Sequence, residues 1–134
     1  MIVLLDTHAI LWWQADSGRL SARAAREIAR ADAVLVSPIS CWEIGILLGK
    51  GRIALDRDVQ EWVRDLLAQD SVTPAQLTPE AATATALLRR DGFHGDPADQ
   101  LLYATSAAHA AGFVTKDESI HAFARGRRDV TAIW

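Results

Sequence analysis

The sequence predicts an α/β protein, a three-layer α/β/α sandwich around a mainly parallel central sheet. Residues 1–5 and 33–36 form short continuous apolar runs without alternation, the pattern of strands buried on both faces. Between such runs lie stretches with apolar residues at helical spacing, several opened by a capping residue or a first-turn proline. Strands separated by helices pair in parallel through right-handed crossovers, which puts helices on both sheet faces.

Each element has its own local reason. The run 1–5 ends at Asp6, and Thr7 is placed to cap a helix that begins at His8 and carries Ile10, Leu11, Trp12 and Trp13. A second helix is expected over 21–31 and a second strand over 33–37, stopped by Pro38. Ser40 opens a helix that runs to about Lys50 and stops at Gly49 and Gly51. Asp58 opens another, with Val59, Trp62, Val63, Leu66 and Leu67 on one stripe. A weak strand over 71–77 follows. Thr78-Pro79 then starts a helix reaching Arg89, and Asp96-Pro97 starts one over 98–111. A short strand at 112–115, a short helix at 119–124 and a last strand at 130–134 complete the chain.

The 134 residues fit a single domain, 1–134, and contain no repeat or linker. Half of them are hydrophobic and 23% charged, a composition that excludes intrinsic disorder. No apolar run approaches the ~18 residues of a membrane span. The N-terminal apolar run has no basic residues before it and is interrupted by Asp6, unlike a secretory signal. Cys41 is the only cysteine, so no intramolecular disulfide can form and a cytoplasmic setting is expected. With a net charge of −3, bulk charge does not announce nucleic acid; contacts would need local basic patches or bound cations.

The informative residues are acids. In parallel sheets, sites form at the carboxyl ends of the strands. Asp6 closes the first strand and Asp117 follows the fourth, while Glu43 and Asp99 are expected in first turns of helices starting at that same edge. Converging carboxylates resist shared ionisation, and a hard divalent cation such as Mg²⁺ or Mn²⁺ removes the conflict. A metal held this way can activate water and stabilise charge on a phosphodiester, so the pattern points to metal-dependent phosphodiester hydrolysis.

Plainer roles compete. Ser40-Cys-Trp-Glu43 reads as a capping box, although Glu43 shares a stripe with Ile46 and Leu47 and so faces inward. Asp96 reads as an N-cap, Asp99 as a first-turn acid favoured by the helix dipole, and Asp117 as a turn residue. Asp6, at the end of an all-apolar strand, is hardest to explain without a partner. His8 and His94 read as solvated or capping residues, and His109 and His121 lack ligand-spaced partners. Cys41 reads as a small core residue. Arg19, Arg23, Arg26 and Arg30 form a stripe that Glu27 can neutralise in part, and Arg125, Arg127 and Arg128 form a second basic cluster.

Leu4-Leu5-Asp6-Thr7-His8, Ser40-Cys-Trp-Glu43, Asp96-Pro-Ala-Asp99-Gln-Leu-Leu and Thr115-Lys-Asp117 occur in the order and spacing of the PIN-domain ribonucleases. More narrowly, the chain resembles the VapC-type toxins of prokaryotic toxin–antitoxin pairs, over nearly its whole length. The resemblance implies a PIN-like fold and an endoribonuclease in which Asp6, Glu43, Asp99 and Asp117 surround Mg²⁺ or Mn²⁺. Thr115 and Thr7 would support that site, with Asp96 as an extra acid. It implies an RNA substrate, 5′-phosphate and 3′-hydroxyl products, and a cognate VapB-type antitoxin protein whose basic side chain enters the acid cluster. Two departures are Leu47, where such toxins often carry Lys, and Gln100, where they often carry Arg. Adjacent Trp12 and Trp13 cannot both point inward from one helix, so that helix is expected to border an antitoxin groove and the chain to form a homodimer.

Three other functions fit less well. A phosphoacceptor receiver domain would carry an aspartate at the end of its third strand, and residues 72–77 contain no acid. Gly45 to Gly51 resembles a phosphate loop, but it is one residue short and lacks Ser or Thr after Lys50. A catalytically inactive RNA- or antitoxin-binding module would not need the complete acid quartet.

Overall fold

A computed structural model describes residues 1–134. Strand β1 (Ile2–Leu5) leads into helix α1 (Thr7–Gln14), followed by α2 (Ala22–Arg30) and β2 (Ala33–Val36). Helices α3 (Pro38–Gly49) and α4 (Val59–Leu67) precede β3 (Val72–Pro74). Then come α5 (Pro79–Arg90), α6 (Pro97–Ala108), β4 (Gly112–Val114), α7 (Glu118–Ala124) and β5 (Ala132–Ile133). All four pairings of the five-stranded sheet are parallel, in the order β3-β2-β1-β4-β5.

Alternation along the strands divides the core in two. Val3 and Leu5 of β1 point into a cluster with Ile10, Ile28, Ile44, Trp62 and Leu66, contributed by α1 to α4. Leu4 points through the sheet into a cluster with Leu88, Leu102, Tyr103, Phe113 and Ile120, built on α5, α6 and α7. A strand with apolar residues at every position serves both layers, which is why its sequence does not alternate.

Several boundaries differ from the sequence expectation. Asp6, not Thr7, caps α1, its side chain accepting from the Thr7 backbone N–H. Helix α3 begins at Pro38, with Ser37 as its cap. Proline stops the strand but is well suited to a helix's first turn, so β2 and α3 abut. Ser40 therefore lies inside α3, and the capping-box reading of Ser40 and Glu43 fails. Glu43 sits in the second turn rather than the first. Helix α6 ends at Ala108, and Ala110 adopts a left-handed φ of 49° before β4. The caps expected at Ser21, Asp58, Thr78 and Asp96 are all present.

The strand order separates this sheet from the receiver fold, whose order is 2-1-3-4-5. Gly45 and Gly49 lie within α3 rather than between a strand and a helix, which removes the phosphate-loop reading. The chain turns in opposite directions from β1, to β2 on one side and β4 on the other, leaving a crevice at the carboxyl ends of β1 and β4 where such sheets bind ligands. No helix is long and apolar enough to cross a membrane.

Candidate active site

A cleft of about 280 Å³ opens at that crevice, and Asp6, Glu43, Asp96, Asp99 and Asp117 all line it. Four separated segments supply them. The end of β1 gives Asp6, α3 gives Glu43, the start of α6 gives Asp96 and Asp99, and the turn after β4 gives Asp117.

Buried hydroxyls fix the inner acids. Thr115 Oγ1 donates to Asp6 Oδ2 at 2.7 Å, and the Thr7 N–H donates to Asp6 Oδ1 at 2.7 Å. Thr7 Oγ1 donates to Glu43 Oε1 at 2.6 Å and lies 3.1 Å from Ser40 Oγ. Thr7, Ser40 and Thr115 are themselves buried, so the bonds are shielded from water. The Asp117 N–H donates to Thr115 Oγ1, which links the β1 and β4 ends of the cleft through one hydroxyl.

The outer acids are held by helix starts. Asp96 caps α6 by accepting from the Asp99 N–H at 2.8 Å, so the cap reading holds for Asp96 even as it lines the cleft. Gly95 permits the approach to α6, since a Cβ there would lie 2.4 Å from the Phe93 ring and 3.0 Å from Asp99 Cβ. Asp117 is the cap of α7 rather than a simple turn residue, accepting from the backbone N–H and hydroxyl of Ser119.

This crowding shapes protonation. Asp99 is pushed up to about 7, by burial first and then by the negative charges of Asp96, Asp6, Asp117 and Glu43. Burial likewise raises Asp6 and Glu43, against the hydrogen bonds from Thr115 and Thr7 that pull them down. Burial alone would raise Asp117 too, but hydrogen bonds from Ser119 and Ile120 and the nearby His121 hold it below the usual carboxylate range.

None of these acids makes an ion pair with a side chain of the chain. No three carboxylate, imidazole or thiolate groups close into a coordination sphere either. Carboxylates gathered in one cleft repel one another when ionised. The five acids offer only oxygen, a set suited to hard divalent ions and not to zinc's usual nitrogen and sulfur ligands.

Three residues at the site were given no site role by the sequence reading. Lys116 lines the cleft, and so does exposed His8, for which a solvated role was expected. Ser40 acts as a buried hydroxyl beside Thr7 instead of a cap. Gln100 is buried away from the cleft, accepting from Arg89 Nε and donating to the Gly95 carbonyl, so this departure anchors the loop before α6. Trp12 and Trp13 are both half-buried; Trp13 packs on the core and Trp12 against Trp134. Trp42, beside Glu43, is the tryptophan left in solvent, at 60% exposure. The arginine stripe is also revised. Arg19 precedes α2, and Glu27 makes no ion pair with Arg23 or Arg30.

A parallel sheet with hydroxyl-braced acids gathered at its reversal point is the architecture that the PIN resemblance implies. The PIN domain family model matches residues 3–126. Ribonuclease VapC22 of Mycobacterium tuberculosis is 40% identical over 132 residues, covering 98% of each chain. Among solved structures, VapBC2 from Rickettsia felis bound to a DNA fragment from their promoter matches with a TM-score of 0.70 at 15% identity, over 98% of this chain and 97% of that one. A toxin–antitoxin complex from Klebsiella pneumoniae matches with a TM-score of 0.64 at 17% identity, over 96% and 95%. The chain belongs to the PIN-domain family, among its VapC-type members.

Proposed function

We propose that this chain is the ribonuclease toxin of a toxin–antitoxin pair, hydrolysing RNA phosphodiester bonds with Mg²⁺ or Mn²⁺ held by Asp6, Glu43, Asp99 and Asp117. The observation that carries the reading is the convergence of these acids in the β1–β4 crevice, none of them ion-paired although Lys116 also lines the cleft. Similarity to a curated ribonuclease over 98% of the sequence supports the substrate class. A bound divalent cation would acidify water and offset charge on the scissile phosphate. Thr115 and Thr7 hold Asp6 and Glu43 in fixed rotamers, so their oxygens face the cleft. Asp96 adds negative charge at its rim.

The partner is a VapB-type antitoxin that covers α1 and the cleft mouth and brings a basic side chain to the acids. The structural relative from Klebsiella pneumoniae was solved as a toxin–antitoxin complex, which supports the pairing. Exposed Trp42 on α3 and Leu87 on α5 leave apolar surface for self-association as a homodimer. Sedimentation that stays monomeric at every concentration would remove the dimer.

The central test is cleavage of RNA by purified protein with Mn²⁺, compared with excess EDTA and with Asp6→Asn. Metal-dependent cleavage with 5′-phosphate products is expected. Cleavage undiminished by EDTA, or 2′,3′-cyclic phosphate ends, contradicts the mechanism. Binding of RNA or antitoxin with no cleavage would make the chain an inactive binding module.

A further inference from the structure

A second and larger depression shares a wall with the acid cleft. This groove, about 580 Å³, lies between α1 and the segment joining α3 to α4, with Trp62 at its base. Leu11, Ile53 and Leu55 give it an apolar floor. His8 and Trp12 line both the groove and the cleft, so the two adjoin. Trp12 stands at the threshold, with Trp134 edge-on at 5.7 Å and Lys116 Nζ 5.8 Å from its ring centre.

The groove's charges are opposite to the cleft's. Arg19, Arg52 and Arg57 line it, against a single acid, Asp56. Arg57 is occupied by Asp56 and by Asp65 at 2.8 Å. Arg19 and Arg52 are exposed and make no ion pair. In a chain of net charge −3, two unpaired guanidinium groups beside an acid cleft are a local reversal of sign. An RNA strand needs that reversal, because the acids around the scissile bond repel its neighbouring phosphates. Guanidinium groups suit phosphate geometry, and an indole offers any base a stacking face.

We propose that this groove is the subsite for the nucleotides flanking the cleaved bond. Trp12 stacks the base at the threshold, and Arg19 and Arg52 bind the backbone phosphates beyond it. The proposal rests on the ribonuclease reading and deepens it, by naming where a single strand lies and which residues hold it without reading sequence.

The test measures binding of a short fluorescein-labelled single-stranded RNA of mixed sequence by anisotropy, in EDTA so that no cleavage occurs. Trp12→Ala is expected to weaken binding about tenfold, while Trp12→Phe retains most of the affinity. Arg19→Ala and Arg52→Ala should each lower the salt dependence, the slope of log K against log salt falling by about 0.7 for single strands. With Mn²⁺ present, Arg52→Ala should raise KM and leave kcat unchanged. Arg52 is exposed, so its variant carries the test even if Trp12→Ala misfolds. Wild-type affinity and salt slope in Arg19→Ala and Arg52→Ala, in protein that cleaves RNA, would overturn the subsite. Loss of antitoxin binding alone in these variants would also overturn it and give the groove to the protein partner. If the wild-type chain neither binds nor cleaves RNA, the ribonuclease reading itself falls.

Discussion

Asp129 and Asp99 are carboxylates of one small domain in opposite electrostatic settings. Asp129, before β5, is gripped by Arg127 through Nε and Nη2 and accepts from the hydroxyl of buried Tyr103 at 2.9 Å. Arg127 also reaches Asp91 and lies over the Phe123 ring. Burial alone would raise the Asp129 carboxyl, but these bonds hold it below the usual range. Asp99 faces four other acids and no paired cation, and its carboxyl is pushed up to about 7. The chain thus neutralises one acid internally with a guanidinium fork and leaves the cleft acids without any ion pair. The first arrangement is complete and serves stability. The second leaves its negative charges unpaired, and the proposed cation would offset them.

The largest expected effect breaks the second arrangement. Asp99→Asn should lower metal-dependent RNA cleavage by about a thousandfold, the scale of losing a principal electrostatic group at a reacting centre. Calorimetry should show Mn²⁺ binding weakened with it. Near-normal cleavage by Asp99→Asn would remove Asp99 from the site. Next comes Thr115→Val, which keeps the shape of a buried side chain but frees Asp6 Oδ2. Partners that orient metal ligands are worth 10–100-fold in affinity, so about a tenfold loss of Mn²⁺ affinity is expected. Thr115→Ser should restore it, and an unchanged Kd in Thr115→Val would show that Asp6 needs no brace.

The same contrast explains which features were legible in the sequence. Asp6 could be singled out because an acid ending an all-apolar strand has no local explanation, Asp117 followed from the parallel topology, and Thr115 came only from the PIN resemblance. Caps such as Asp58 and Asp96 were visible because capping is local. The start of α3 was not, because Pro38 both ends a strand and opens a helix, and only the Ser37 bond to the Ile39 N–H decides between them. Ser40 was consequently read as a cap. The groove was legible only as an aromatic pair on one helix. Arg52 lies far from Trp12 in sequence, and their meeting depends on how the segment after α3 folds back over α1. Tyr103 and Asp129, 26 residues apart, meet for the same long-range reason, so their network left no sequence signal.

A smaller effect tests the complete arrangement. Asp129→Ala leaves the Tyr103 hydroxyl without its acceptor and removes the main partner of Arg127. Leaving a buried polar group unpaired costs about 1–3 kcal/mol, and the solvent-facing side of this network places the loss near the lower end. The midpoint of urea unfolding should fall accordingly, while cleavage per folded molecule stays at the wild-type level. A loss of Mn²⁺ affinity in Asp129→Ala would mean that the two acidic regions are coupled.

The smallest effect is a pH dependence in which the raised acids of the cleft and the lowered Asp129 act with opposite sign. Asp99 rises from its ordinary 3.8 to about 7 in the folded, metal-free protein, and Asp6 and Glu43 move in the same direction. A folded state that binds protons more tightly than the unfolded chain is favoured at low pH. The contribution is therefore fully present below the ordinary carboxyl range and lost as pH climbs through the raised folded value. Asp129 and Asp117 are lowered and act oppositely, but their contribution is lost only as pH falls below the ordinary carboxyl range. Between pH 5 and pH 8 the cleft alone sets the slope among the carboxylates. Metal-free protein should melt about 5 °C lower at pH 8, the shift that roughly 1 kcal/mol produces in a domain of this size, after discounting for solvent at the half-buried Asp99. Asp99→Asn should flatten that slope and melt higher than wild type at pH 8, even as it loses metal. Mn²⁺ should raise the wild-type melting temperature more at pH 8 than at pH 5, because binding expels the cleft protons. Equal melting curves for metal-free wild type and Asp99→Asn at both pH values would show that the acids do not repel one another, and that the cleft asks nothing of a cation.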